Sequence, residues 1–341
     1  MQTIIAKLEA GSASIQTIKQ AAEVIKSGGL VAFPTETVYG LGANALDEQA
    51  CAKVYAAKGR PSDNPLIVHI NEDFDLDRIA KNVPAGARAL MDAFWPGPLT
   101  IVLKSRADVF ACGHGDTVAV RMPQSMVARL LIHHSGLPIA APSANTSGRP
   151  SPTVAAHVIE DLNGKIDMIL DGGACKHGLE STVIDFSESQ PKILRPGAVT
   201  REMIENVIGK VLIASADAAD DAAPKSPGMK YKHYAPNAKV TLVVGDAPKV
   251  AAAILKMIEE TNTTNPIILT WAQDEYLYDQ VPVMNLGRRL EDVAANIFAA
   301  LRKCDELGHD HIFVQGVGEE GLGAAIMNRL KKAAQGNILE V

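Results

Sequence analysis

Short apolar runs rich in β-branched residues alternate with amphipathic helical runs along this 341-residue chain, the pattern of an α/β protein. The length suits two domains of ordinary size. Near residue 214 the composition changes: ASADAADDAAPKSPGMKYKHYAPNA lacks apolar periodicity and reads as a connector longer than compact folds need. The expected division is a mixed-direction sheet domain with a concave cleft over 1–208, a linker over 209–238, and a small second α/β domain over 239–341.

The elements follow in order. SIQTIKQAAEVIKSGG has Ser14 as its N-cap, apolar residues at Ile15, Ile18, Ala22 and Ile25, and glycine at its stop. GLVAFPT is a buried strand. DEQACAKVYAAKGR is a helix capped by Asp47 that delivers Lys58 at its C-terminal end. PLIVHI, LTIVLK, TVAVRMP, LPIAAPS, KIDMILDGG, STVIDF and KILRPG read as strands, with SMVARLLIHHSG and VAAHVIEDLNG as helices between some of them. In the second domain KVTLVVGD, NPIILTW, VPVMNL and HIFVQG are strands, with helices over about 247–260 and 289–307 and one more at the end. Gly316-Val-Gly318-Glu-Glu-Gly321 matches a dinucleotide fingerprint. Only about twenty residues follow it, enough for a helix and no third element, so a tight strand–helix turn is the expectation.

Composition narrows the function. The net charge of −6 argues against a protein held mainly by nucleic-acid phosphates. Cys51, Cys112, Cys175 and Cys304 are scattered without metal-ligand spacing, which predicts free thiols in a reducing compartment. No apolar stretch approaches the ~18 residues of a membrane helix, and the N-terminus has no secretory pattern. The expectation is a cytoplasmic protein. P-loop, kinase, nucleophile-elbow and zinc-hydrolase motifs are absent.

Two polar signatures stand out more than eighty residues apart, Lys58-Gly59-Arg60 and Ser143-Ala144-Asn145, each flanked by Pro and Gly. They suggest one site assembled from two loops, offering fixed cations and small hydrogen-bonding groups to a phosphate-bearing ligand. Strand alternation adds to it. Thr117, Ala119 and Arg121 share one face of TVAVR. His69 lies opposite Leu66, Val68 and Ile70; Ser181, Val183 and Asp185 oppose Thr182, Ile184 and Phe186; Arg195 lies opposite Leu194. Polar residues recurring in four otherwise apolar strands predict a polar cleft on one sheet face. Lys58, Arg60, Arg121 and Arg195 have no local carboxylate partners in the sequence, so an anionic ligand is expected.

FPTETVYGLGANA (33–45), KGRPSDNPLIVHI (58–70), FWPGPLTIVL (94–103), VAVRMP (118–123), APSANTSGRPSPT (141–153), STVIDF (181–186) and ILRPGAVT (193–200) occur in the order seen in one family. By these motifs the chain resembles the YrdC/Sua5 family of threonylcarbamoyl-AMP synthases. The segment SPGMKYKHYAP (226–236) and the extra module resemble its long form, whose C-terminal domain is Rossmann-like. The resemblance implies a nucleotidyltransferase joining L-threonine, bicarbonate or CO2 and ATP into threonylcarbamoyl-adenylate, with pyrophosphate released. It also implies Mg2+ carried by the ATP phosphates. The product would feed the tRNA machinery that makes threonylcarbamoyladenosine at position 37. Threonine would be held by Thr35, His69, Arg121, Ala141 and Ser181, and ATP by Lys58, Arg60, Ser62, Thr117, Ser143, Asn145, Ser151, Arg195 and Tyr234, with Lys58 and Arg60 catalytic. The linker with Tyr234 would form a lid that shuts water out. The alternative is a non-catalytic RNA-binding or ribosome-associated protein of the same fold, and the enzyme reading itself leaves room for a weak RNA contact. The net acidity and the lack of interleaved aromatics on the sheet disfavour the alternative.

Overall fold

A computed structural model describes residues 2–9, 12–106, 116–214, 234–261, 263–279 and 281–341. Two compact units emerge, Met1–Ser147 with Ser151–Lys230, and Gly148–Pro150 with Tyr231–Val341.

The first unit contains strands β1 (Ile4–Lys7), β2 (Val31–Phe33), β3 (Gly40–Asn44), β4 (Ile67–His69), β5 (Leu99–Lys104), β6 (Thr117–Arg121), β7 (Ile139–Ala140), β8 (Met168–Asp171), β9 (Thr182–Asp185), β10 (Lys192–Arg195) and β11 (Leu212–Ile213). They form one mixed sheet in the order β1-β8-β2-β3-β7-β4-β6-β5-β9-β10-β11. β11 falls inside the stretch read as linker, and pairs in parallel with β10.

Helices α1 (Ser12–Lys26), α2 (Glu48–Lys58), α3 (Ala85–Phe94), α4 (Met126–Ser135), α5 (Ala155–Leu162) and α6 (Arg201–Ile208) accompany the sheet. α1 starts two residues before the expected cap, so Ser14 lies inside the helix, where its hydroxyl donates back to the Glu9 carbonyl. Asp47 caps α2 as expected, its carboxylate accepting from the Gln49 and Ala50 N–H groups. At the other end Gly59 takes a left-handed φ of 60°, and the chain turns away directly after Lys58.

The sheet's two faces differ as alternation predicts. Leu66, Val68, Ile70, Val118, Val120, Leu99, Ile101, Leu103, Ile184 and Ile193 enter the main core. Ile67, Val102, Ala119 and Val183 form a small apolar patch on the other face, beside the polar residues described below.

The second unit holds β12 (Lys239–Val244), α7 (Ala247–Glu260), β13 (Pro266–Thr270), β14 (Val283–Asn285), α8 (Leu290–Glu306), β15 (His311–Gln315), α9 (Leu322–Ala334) and β16 (Ile338–Glu340). Its parallel sheet runs β14-β13-β15-β12-β16. β16 overturns the expectation that nothing follows the last helix: three residues suffice to pair with β12 and close a βαβ unit. The Gly316–Gly321 turn does lie between strand and helix, but the residues around it do not favour a phosphate. Glu319 and Glu320 stand in it. The tripeptide 148–150 belongs to this unit because buried Arg302 on α8 donates from Nε and Nη2 to the Pro150 carbonyl (3.0 and 2.7 Å).

Candidate functional site

Lys58 brings the two sequence signatures together. Its side chain is buried, and Nζ donates to the carbonyls of Ser143 and Asn145, both at 2.5 Å. In return the Ser147 N–H donates to the Lys58 carbonyl (2.8 Å). The Ser143 loop is held from its other side by β3, since the Ala144 N–H reaches Tyr39 O and Leu41 N–H reaches Pro142 O. Arg60 is buried as well and donates from Nε and Nη2 to the carbonyls of Asn64 and Pro65 (3.1 Å each), which shapes its own loop. Ser62 is exposed on that loop's turn. Asn64 was not legible as a site residue, yet it is buried with neither amide atom hydrogen-bonded among the described residues.

A polar row crosses five strands. His69 on β4 is in register with Arg121 on β6, Arg121 with Thr100 on β5, Thr100 with Val183 on β9, and Val183 with Arg195 on β10. Residues in register share a face. Thr117 starts the same strand as Arg121, an even number of residues away and so on the same side. The expected Leu194/Arg195 alternation fails at a bulge between Ile193 and Arg195. The bulge puts Leu194 against the cleft-side patch while Arg195 still reaches Ser181, donating from Nε to its carbonyl and from Nη2 to its hydroxyl (3.1 Å each). The Ser181 hydroxyl is also 2.7 Å from that of Thr100, which is fully buried. One residue earlier Glu180, buried, accepts from the Ser151 hydroxyl at 2.5 Å. Thr100 and Glu180 are thus site neighbours that the sequence reading missed.

Arg121 is not the unpartnered cation expected. Glu36, 85 residues away, meets its Nη2 at 2.5 Å, with both side chains 5% exposed. Burial pushes the Glu36 carboxyl up, but the Arg121 charge and hydrogen bonds to it outweigh this and hold it below its usual value. Thr35 uses its hydroxyl locally, donating to Val38 O (2.7 Å) and lying 2.8 Å from the Thr37 hydroxyl, so it fixes the 35–38 turn. Ala141 extends β7, and its N–H donates to Ile67 O at 2.8 Å. Burial pushes the nearby Cys175 thiol up to about 12, which does not suit a thiolate nucleophile.

His69 donates from Nδ1 to the Ile67 carbonyl (3.1 Å), which leaves Nε2 as an acceptor. Burial, then the Arg121 charge, lowers its pKa to about 3, so the ring is neutral near pH 7. In the unfolded chain it titrates near its ordinary value of 6.5. The native state therefore loses stability as pH falls from about 6.5 towards 3, by at most ~1.4 kcal/mol per pH unit from this group. Urea unfolding between pH 7 and 4.5 should show a steeper loss in the parent protein than in His69→Asn; equal slopes would contradict the assignment.

Tyr234 lies in the second unit. It is buried with a positive φ of 65°, its ring stacked on Phe298 (5.1 Å between centroids) under Arg329 (5.7 Å). Residues 215–233 of the expected lid lie outside the described residues.

Comparison with known proteins decides the family. Residues 23–197 match the Sua5/YciO/YrdC family, described as telomere recombination, and residues 199–335 match the threonylcarbamoyl-AMP synthase C-terminal domain. The chain belongs to the Sua5/YrdC family. A threonylcarbamoyl-AMP synthase of Pyrococcus abyssi is 50% identical over 95% of this chain and 96% of its own. One of Bacillus subtilis is 45% identical over 94% of each. The crystal structure of P. abyssi Sua5 complexed with L-threonine superposes with a TM-score of 0.92 at 47% identity, covering 99% of this chain and all of that one. No helix among the described residues is long and apolar enough to cross a membrane.

Proposed function

We propose that this protein is an L-threonylcarbamoyladenylate synthase whose two substrates meet along the polar row. The observation that carries the reading is the joining of the Lys58 and Ser143–Asn145 loops at one end and of Ser181 with Arg195 at the other, with Arg121 and His69 between. The threonine amine and bicarbonate give a carbamate with loss of water, and a carbamate oxygen attacks the α-phosphorus of ATP as pyrophosphate leaves. No protein group becomes covalent, so the task is placing anions and neutralising charge.

In this reading Lys58, Arg60 and Arg195 serve the phosphates, and Ser62, Thr117, Ser143, Asn145 and Ser151 serve phosphate, ribose or base. Arg121 forks the threonine carboxylate, and neutral His69 offers Nε2 to a substrate donor. Ser181 accompanies them, while Thr35 and Ala141 shape the wall. Mg2+ would enter as an ion carried by the ATP phosphates and water. The adenylate would pass to the tRNA-modifying machinery. The RNA-binding alternative has no observation in its favour. Pyrophosphate release that requires threonine, measured with the purified protein, ATP and bicarbonate, supports the reading; release indifferent to threonine refutes it.

A further inference from the structure

Glu36 is a buried acid of the first unit's cleft that the reaction above does not employ. Its carboxylate is satisfied on both oxygens: Oε1 accepts from Arg121 Nη2, and Oε2 from the N–H groups of Gln124 (2.9 Å) and Ser125 (3.3 Å). Those two N–H groups sit at the N-terminus of α4, where a negative charge is favoured. The backbone of Glu36 is pinned too, its carbonyl accepting from the His177 N–H at 2.8 Å. The acid thus sits on a rigid seat.

Its effect on Arg121 follows from guanidinium geometry. Arg121 donates from Nε to Gly97 O (3.3 Å) and from Nη2 to Glu36. These two contacts use the Nε–Nη2 side of the planar group, and among the described residues Nη1 has no hydrogen-bond partner. The Nη1–Nη2 end is the fork that matches a carboxylate. A buried guanidinium with only one of these supports would swing about its side-chain bonds, and a fork that swings loses bidentate recognition.

We propose that Glu36 is a positioning residue that clamps the side of Arg121, so that the open end of the guanidinium is presented to the amino-acid carboxylate. The pair carries no net charge, which also suits a zwitterionic amino acid better than a bare carboxylate. This rests on the reading of Arg121 as the carboxylate fork.

The test compares Glu36→Ala, Glu36→Gln and Arg121→Gln in threonine-dependent pyrophosphate release and in threonine binding by calorimetry. Glu36→Ala should raise the threonine KM at least about tenfold while the ATP KM stays within about twofold. Glu36→Gln keeps an acceptor oxygen for the guanidinium and should recover part of the loss. L-threonine amide, which lacks the carboxylate, should compete poorly in the parent protein and lose less than threonine does in Glu36→Ala, a shift that a merely structural role would not produce. If Glu36→Ala does not fold, Glu36→Gln carries the comparison, with a smaller rise of the same selectivity. A threonine KM unchanged in folded Glu36 variants, or an ATP KM that rises equally, overturns the proposal. Arg121→Gln separates the two readings: if it also leaves threonine affinity intact, the carboxylate-fork reading falls with the proposal.

Discussion

Lys58→Met should lower kcat/KM for ATP by about a thousandfold or more, the ~4 kcal/mol expected when a buried phosphate cation is removed from a charge-developing reaction. The residue does two jobs. Its charge serves the nucleotide half, and its ammonium ties the Ser143 and Asn145 carbonyls to the end of α2. Without it both carbonyls lose a buried donor, so stability should also fall by about 1–3 kcal/mol. Lys58→Arg should rescue little, because a flat guanidinium cannot take the place of a compact ammonium between two carbonyls. Steady-state kinetics with a thermal melt for each variant distinguish loss of the cation from loss of the fold. A Lys58→Met protein with near-parental turnover would remove the residue from the chemistry.

Gly197→Ala should be nearly as damaging, although glycine 197 bears no functional group. A Cβ there would lie 2.4 Å from the Thr182 nitrogen, 2.7 Å from the Ser181 carbonyl carbon and 2.8 Å from the Glu180 carbonyl oxygen. All three are backbone atoms, so no side chain can swing clear; the 180–182 segment or the Arg195–Gly197 turn must shift. Overpacking of this kind costs about 1–3 kcal/mol. The displaced segment carries Glu180 and Ser181 and is the segment Arg195 grips. A shift of about 1 Å at such a place can cost about a hundredfold in rate. The expected result is a folded protein with a lowered melting temperature and about a hundredfold lower kcat/KM. Parental kinetics would show that the close approach is not required.

Much of the site was legible because strand alternation is rigid. Once TVAVR and LIVHI are strands, Arg121 and His69 must face away from Val120 and Val68, and the register puts them side by side. The KGR and SAN loops were legible from their composition, and the fold from its alternation and motifs. What escaped depends on distance along the chain or on local irregularity. Glu36 pairs with Arg121 across 85 positions, and nothing local in FPTET marks its acid as buried. Thr100 looks like any strand threonine until β5 is set between β6 and β9. The bulge before Arg195 breaks the period on which the face assignment relied. β16 was missed because three residues at the end of a chain carry almost no periodic signal.

In the proposed reaction one polar row activates the carbamate of threonine on ATP. Incubation with ATP, L-threonine and 13C-bicarbonate, followed by mass spectrometry of the nucleotide products, tests it most directly. The expected product is an AMP adduct that carries both threonine and the labelled carbon, formed with pyrophosphate and missing when any one substrate is withheld. An adduct of threonine without the label, or pyrophosphate with no adduct in samples quenched at early times, would contradict it.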